Sequence, residues 1–156
     1  MIVVATREEK EFIESKYGRC KEILVTGVGA INVYESLKTI HRDTPILNLG
    51  FAGSPNIPVG TLVSVGEVKL YHPNVTYDER EYTLCGFFPC FTSSDFVIET
   101  KERDCVFDME LAYILSMGFS NVRSYKVVSD NLSATEYEKN SKIRKNKLTL
   151  PHRRST

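Results

Sequence analysis

The sequence has no charge excess of either sign. Its twenty lysine and arginine side chains cancel its twenty aspartates and glutamates, which removes the electrostatic footprint expected of a nucleic-acid-binding protein. No apolar run approaches the roughly eighteen residues that a membrane span needs. There is no CxxC pair: Cys20, Cys85, Cys90 and Cys105 are dispersed, and with three scattered histidines they make a poor ligand set for a metal. Reduced, structural thiols in a cytoplasmic protein are the expected state. The opening Met1-Ile2-Val3-Val4-Ala5 runs straight into Arg7-Glu8-Glu9-Lys10, so it reads as a strand and not as an export signal. Positive charge does gather at one end, in Lys142, Arg144, Lys145, Lys147, Arg153 and Arg154, where a solvated tail or the end of a last helix is expected.

What remains is an ordinary soluble composition. With 156 residues, 42% of them hydrophobic and 26% charged, the chain suits one domain with its own core. Strand and helix signals alternate along the first half. Ile2 to Ala5 is a short β-prone run, and Arg7 to Tyr17 is charged and helix-prone around Phe12 and Ile13. Ile23 to Thr26 reads as a second strand ended by Gly27-Val28-Gly29, and Ile31, Tyr34, Leu37 and Ile40 recur at helical spacing. Ile46 to Leu49 reads as a third strand. Buried strands separated by amphipathic helices predict a single-domain, three-layer α/β/α fold with a mostly parallel central mixed sheet. Further on, Gly60 to Leu70 and Tyr82 to Phe91 are β-prone. Asp104 to Phe107 predicts a strand, Met109 to Met117 a helix and Val122 to Val128 a strand. Ser133 with Glu136 has the spacing of a capping box for a final helix. The expected domain covers residues 1–140, with residues 141–156 as the basic tail.

In open α/β sheets ligands collect beyond the carboxyl ends of the strands. Thr6 to Glu9, Thr26 to Gly29, Gly50 to Ser54 and Ser129-Asp130 all fall there. Gly27-Val28-Gly29 lacks the third glycine of a dinucleotide fingerprint and the Lys-Ser/Thr of a P-loop, so a plain strand-to-helix turn also explains it. Asp130 follows Val127-Val128, and Ser129 is placed to orient it. A carboxyl beside apolar walls can be raised into the range of a general acid, although an Asp capping a following helix has the same local pattern. Glu9 and Glu110 leave the same two readings open.

Taken in order, these pieces resemble the nucleoside phosphorylase and methylthioadenosine/S-adenosylhomocysteine nucleosidase family. The segments are Val25 to Gly29, Asn48 to Gly53 with Val59 to Val63, Thr92 to Val97, Phe107 to Glu110, and Val127 to Asp130. They span nearly the whole chain. The resemblance implies a cytoplasmic enzyme without a cofactor that cleaves the bond between purine and ribose, and a homodimer. Its only implied ligand is a small purine nucleoside, with no nucleic acid or membrane partner. By the same resemblance Asp130 would protonate the purine N7, with Ser129 beside it, and Glu9 would activate the attacking water. Met109 and Glu110 would hold the ribose, Phe96 would stack on the base, the Val97 backbone would read its edge, and Ala52 and Gly53 would line the floor. Phosphorylases of the family bind phosphate with an arginine before the Gly-x-x-Gly turn. Asn48 stands there in this chain, which favours water over phosphate as the nucleophile. The alternatives are a phosphorylase, a futalosine-type hydrolase and a non-catalytic nucleoside-binding protein. Three departures bear on them: Phe51 stands where family nucleosidases often have serine, Ser133 stands where they tend to have an acid, and the chain is shorter between Leu70 and Thr92.

Overall fold

A computed structural model describes residues 1–19, 22–71 and 81–133. The expected final helix after Ser133 and the tail at 141–156 lie outside the described residues. Strand β1 (Ile2–Val4) is buried along its whole length, as expected for a β-branched run covered on both faces. Helix α1 (Arg7–Tyr17) starts because Thr6 and Glu9 form a reciprocal capping box, and Gly18 at φ 80° ends it. Strand β2 (Ile23–Val25) leads through Gly27 and Gly29, both at positive φ, into helix α2 (Ala30–Leu37). The long strands β3 (Ile46–Gly53) and β4 (Leu62–Leu70) follow, then the short β5 (Glu81–Thr83), β6 (Phe88–Thr92) and β7 (Val106–Asp108). Helix α3 (Leu111–Ser116) and strand β8 (Val122–Asp130) complete the described elements. No helix among the described residues is long and apolar enough to cross a membrane.

The protein is α/β with a mixed sheet. Parallel pairings dominate: β1 pairs with β2 and β3, β3 with β8, β4 with β6 and β6 with β7. The antiparallel ones are β3 with β7, β4 with β5 and β4 with β8. The sequence predicts an open sheet between two helical layers, but the strands do something else. β3 pairs with β8, β8 with β4, β4 with β6, β6 with β7, and β7 returns to β3 at Gly53 and Phe107. The sheet therefore closes into a barrel-like ring, with β1 and β2 extending from β3 and β5 from β4.

The physical reason lies in β3 and β4, each long enough to serve different neighbours at its two ends. The register slips between Ala52 and Gly53 and again between Val65 and Val68, and such irregularities bend strands and increase their twist. Closure also needs two backbones in near contact. A Cβ on Gly86 would collide with the Val65 carbonyl oxygen, and one on Gly66 would sit 2.8 Å from that of Gly86. All five ring strands contribute side chains to one core with α2 and α3, including Ile46, Val63, Val68, Cys90, Val106, Leu111, Ile114 and Val128. A second core lies under α1, where Phe12 and Ile13 cover Ile2, Val4, Leu49 and Val127.

The close approach at Gly86 is testable. Gly86→Ala places a methyl group against backbone that cannot rotate away, so a loss of roughly 1–3 kcal/mol is expected. The urea midpoint should fall with the slope kept; an unchanged midpoint would show that the ring does not require this contact.

Candidate active site

The carboxyl ends of β3 and β8 lie side by side, and their register slip shapes what stands there. Ala52 pairs with Val128, but Gly53 pairs with Asp130, so Ser129 is left in the bulge. The bulge re-aims the strand end. Asp130 is 1% exposed. Its Oδ2 accepts a hydrogen bond from the Ser129 hydroxyl at 2.9 Å, and its Oδ1 accepts the Leu132 N–H at 2.9 Å. The Ser129 hydroxyl also lies 3.4 Å from the Ala52 carbonyl. Gly53 is required by proximity, because a Cβ there would lie 2.9 Å from Asp130 Oδ1 and 2.9 Å from a Leu132 methyl.

Gly53 and Asp130 face a cleft of about 250 Å³ that Phe96, Val97 and Met109 also line. All five are among the residues to which the family resemblance assigns a role. Phe107 forms part of the wall and is held rigid by an aromatic cluster: it stacks on Phe91 at 5.4 Å and meets Tyr71 edge-on at 4.9 Å. Asp95 and Asp108 complete the polar part of the lining.

Behind the cleft is a group of charges that the sequence reading did not single out. Lys126, in the middle of β8, is buried, and its Nζ lies 3.1 Å from Asp108 Oδ2. Asp108 also accepts the Thr92 hydroxyl at 2.5 Å and the Leu111 N–H at 2.9 Å, while Thr92 Oγ1 accepts the Ala112 N–H at 2.9 Å. Asp108 and Thr92 thereby cap α3 from neighbouring strands. Burial alone would push the Lys126 ammonium down; the carboxylates of Asp108, Glu110 and Glu9 outweigh it and hold the ammonium above its ordinary value. Burial also pushes the Cys90 thiol well up, so it stays a neutral neighbour of this group.

Glu110 begins α3, and its Oε2 accepts the Gly29 N–H at 3.2 Å from the start of α2. Burial first, and then the Asp108 charge, push its carboxyl up to about 8 against the pull of Lys126 and the Gly29 N–H. Glu9 is held elsewhere. It lines a separate, smaller cavity with Phe12, Leu49, Gly50 and Phe51. Its carboxylate accepts the backbone N–H groups of Ala5 at 2.8 Å, Thr6 at 3.1 Å and Phe51 at 3.0 Å. Burial raises its proton affinity, opposed by Lys126 and these three donors. Phe51 does not line the Asp130 cleft; its ring packs on Phe12 at 5.7 Å in the second core.

The structure thus gathers Gly53, Phe96, Val97, Met109 and Asp130 at one cleft and sets Ala52 and Ser129 beside Asp130, but Glu110 and Glu9 do not line that cleft: Glu110 meets the Gly29 N–H and Glu9 lines the separate cavity. Lys126 and Asp108 were legible only in part. The strand Val122 to Val128 also carries Arg123 and Ser124, so its lysine reads as solvent-facing, and nothing local names Asp108, which lies eighteen positions earlier in the chain.

No protein-family model matches the sequence, and no curated protein sequence matches it. The fold, however, is that of solved nucleosidases. The chain is similar to the methylthioadenosine/S-adenosylhomocysteine nucleosidase (MTAN) of Chlamydia trachomatis with a TM-score of 0.72 and 19% identity, over 94% of this chain and 89% of that one. Against the Helicobacter pylori MTAN the values are 0.71 and 12%, over 94% and 92%; that structure is of an Asp-to-Asn variant with 5′-methylthioadenosine in its active site. The S-adenosylhomocysteine nucleosidase of Streptococcus pyogenes, solved with a methylthio-tubercidin ligand, gives 0.69 and 14%, over 88% and 87%.

The buried carboxyls set the pH dependence of stability. Glu110 and Glu9 both hold a proton more tightly folded than unfolded, so they stabilise the fold fully below the unfolded value of 4.5. That contribution is lost as pH rises towards the folded Glu110 value of about 8. The melting temperature should therefore fall between these limits, and Glu110→Gln should flatten most of the fall. An identical slope in the variant would remove Glu110 as its source.

Proposed function

We propose that this chain hydrolyses the N-glycosidic bond of an adenosine-like nucleoside of the methylthioadenosine or S-adenosylhomocysteine type, releasing free base and the ribose moiety. The observation that carries this reading is Asp130. It is a buried carboxyl fixed by the Ser129 hydroxyl at the end of β8, opening on a cleft whose wall carries Phe96. That arrangement suits protonation of a leaving purine. The solved structures with the same fold include an Asp-to-Asn variant that holds methylthioadenosine, which supports an aspartate in that role.

In this reading the base stacks on Phe96, its edge meets the Val97 backbone, and Asp130 delivers a proton to N7 as the bond between C1′ and N9 breaks. Positive charge grows on the ribose, where Met109 makes the apolar contact and the Glu110 carboxylate accepts the hydroxyl hydrogen bonds and offsets that charge. In this reading water attacks C1′ and passes its proton, through further water, to Glu9, which lines its own cavity beside Phe51 and is made a stronger base than an exposed glutamate by burial. Ala52 and Gly53 leave the floor free of side chains. Both carboxyls then exchange protons with solvent, and the cycle balances without a cofactor.

We favour water over phosphate because, among the described residues, those lining the cleft include no lysine or arginine, and Lys126 is already matched to Asp108. Exposed Ile31 and Ile98, at 78% and 72%, flank the Gly29 turn and the Phe96 loop; a homodimer assembled around the site would cover them. The reading also places the protein in the cytoplasm and keeps residues 1–140 as the working domain.

Purified protein incubated with methylthioadenosine, adenosine, inosine and futalosine should release base and free sugar from an adenosine-type substrate without phosphate. Asp130→Asn should lower kcat by about a hundredfold or more. Sugar 1-phosphate formed only in the presence of phosphate, or full turnover by Asp130→Asn, would overturn the proposal.

A further inference from the structure

Past Asp130 the backbone turns, and Leu132 takes a φ of 67°, in the left-handed region that a leucine occupies only where its surroundings hold it there. Two sets of contacts do so. The Leu132 side chain is buried with Cys105 and Phe107. The Asn131 side-chain nitrogen donates to two carbonyl oxygens, Ser54 at 2.9 Å and Ile57 at 3.0 Å. Both partners are acceptors only, so the nitrogen of the amide must face them, and both of its hydrogens are engaged.

The 54–57 loop that receives this clamp is itself fixed. Ser54 is fully buried, its hydroxyl accepts the Ile57 N–H at 3.0 Å, and the Ile57 side chain belongs to the main core. The Ser54 N–H also donates to the Asp130 carbonyl at 3.1 Å. Asp130 and Asn131 are therefore mounted on one short loop, which directly follows Gly53 of the cleft. The turn so held supplies the Leu132 N–H to Asp130 Oδ1 at 2.9 Å. An N–H there reserves Oδ1 as an acceptor, so a proton on the carboxyl belongs on Oδ2, beside the Ser129 hydroxyl.

We propose that Asn131 is a positioning residue for Asp130: by clamping the 130–132 turn to the 54–57 loop it keeps the Leu132 N–H on Oδ1 and holds the carboxyl in one orientation. Asn131 is not among the residues lining the cleft; it acts through Asp130. Without the clamp the turn relaxes, the N–H leaves Oδ1, and the carboxyl rotates about its Cα–Cβ bond. The inference rests on the proposed hydrolysis for its catalytic meaning, but its first measurement requires no turnover.

Amide exchange and turnover in the intact protein test it. Asn131→Ala should speed hydrogen exchange at the Leu132 amide by about tenfold or more. The Val128 amide, which donates to the Thr61 carbonyl, should keep its wild-type protection and so report an intact fold. Asn131→Asp keeps the shape but has no donor for the two carbonyls, so it should match Asn131→Ala, and it replaces that variant if the alanine does not fold. Exchange at Leu132 that stays at the wild-type rate overturns the proposal. With methylthioadenosine, kcat should fall by about tenfold while KM stays within about twofold, because orientation is lost and binding is kept. In the Asp130→Asn background the same substitution should cost less than about twofold, since the acid it positions is gone. Equal losses in the two backgrounds, or a change confined to KM, would make Asn131 a merely structural residue and overturn the proposal. Wild-type protein that releases no base would sink the hydrolase reading, while exchange at Leu132 would still decide the clamp.

Discussion

The buried ion pair between Lys126 and Asp108 is the constraint around which the rest of the molecule is arranged. Removing both charges from water is costly, and a buried pair is favourable only when its remaining hydrogen-bonding positions are filled. Here they are filled by Thr92 and Leu111 on Asp108, which ties the pair to β6 and to the first turn of α3. Because Lys126 is on β8 and Asp108 on β7, the pair also spans two strands that do not hydrogen-bond to each other. Breaking a pair of this kind by removing one partner typically costs roughly 3–5 kcal/mol. Closure of the sheet, the start of α3 and the charge of the candidate site thus meet at one contact.

The same contact explains why the site has two parts with different character. The Asp130 cleft is shaped by backbone: a bulge leaves Ser129 out of register, and the missing side chain of Gly53 makes room for the carboxyl. The Glu110 part is shaped by charge, since its carboxyl lies among other acids with one cation to balance them. In the proposed hydrolysis, a purine and a ribose would make matching demands, one for a rigid apolar slot with a proton donor and the other for hydrogen-bond acceptors near developing positive charge. Phe51, which stands where the family resemblance expects serine, turns into the core beneath α1. The Asp130 cleft is therefore not filled by it.

Local elements were legible in the sequence where local physics decides them. Ile2 to Val4 and Ile46 to Leu49 are strands, and Arg7 to Tyr17 is helical. The β-prone stretch from Tyr82 to Phe91 is divided into β5 and β6, because Gly86 must approach β4 closely. The strand expected to start at Asp104 begins at Val106, after Asp104 adopts a positive φ of 54°. Ring closure was not legible, since it depends on register slips in β3 and β4 that no pattern of apolar residues announces. Of the site, the residues at strand ends were found from their position and family order. Lys126 was missed because a single lysine in a strand looks like a solvent-facing residue until its partner is known.

The most direct measurement of the central claim is a crystal structure of Asp130→Asn with methylthioadenosine. The base should lie against Phe96 with N7 towards position 130, and the ribose hydroxyls should meet Glu110 while Lys126 stays on Asp108. A nucleoside bound away from this cleft, for example in the groove between Tyr82, Phe119 and Arg123, would contradict the assignment of the site.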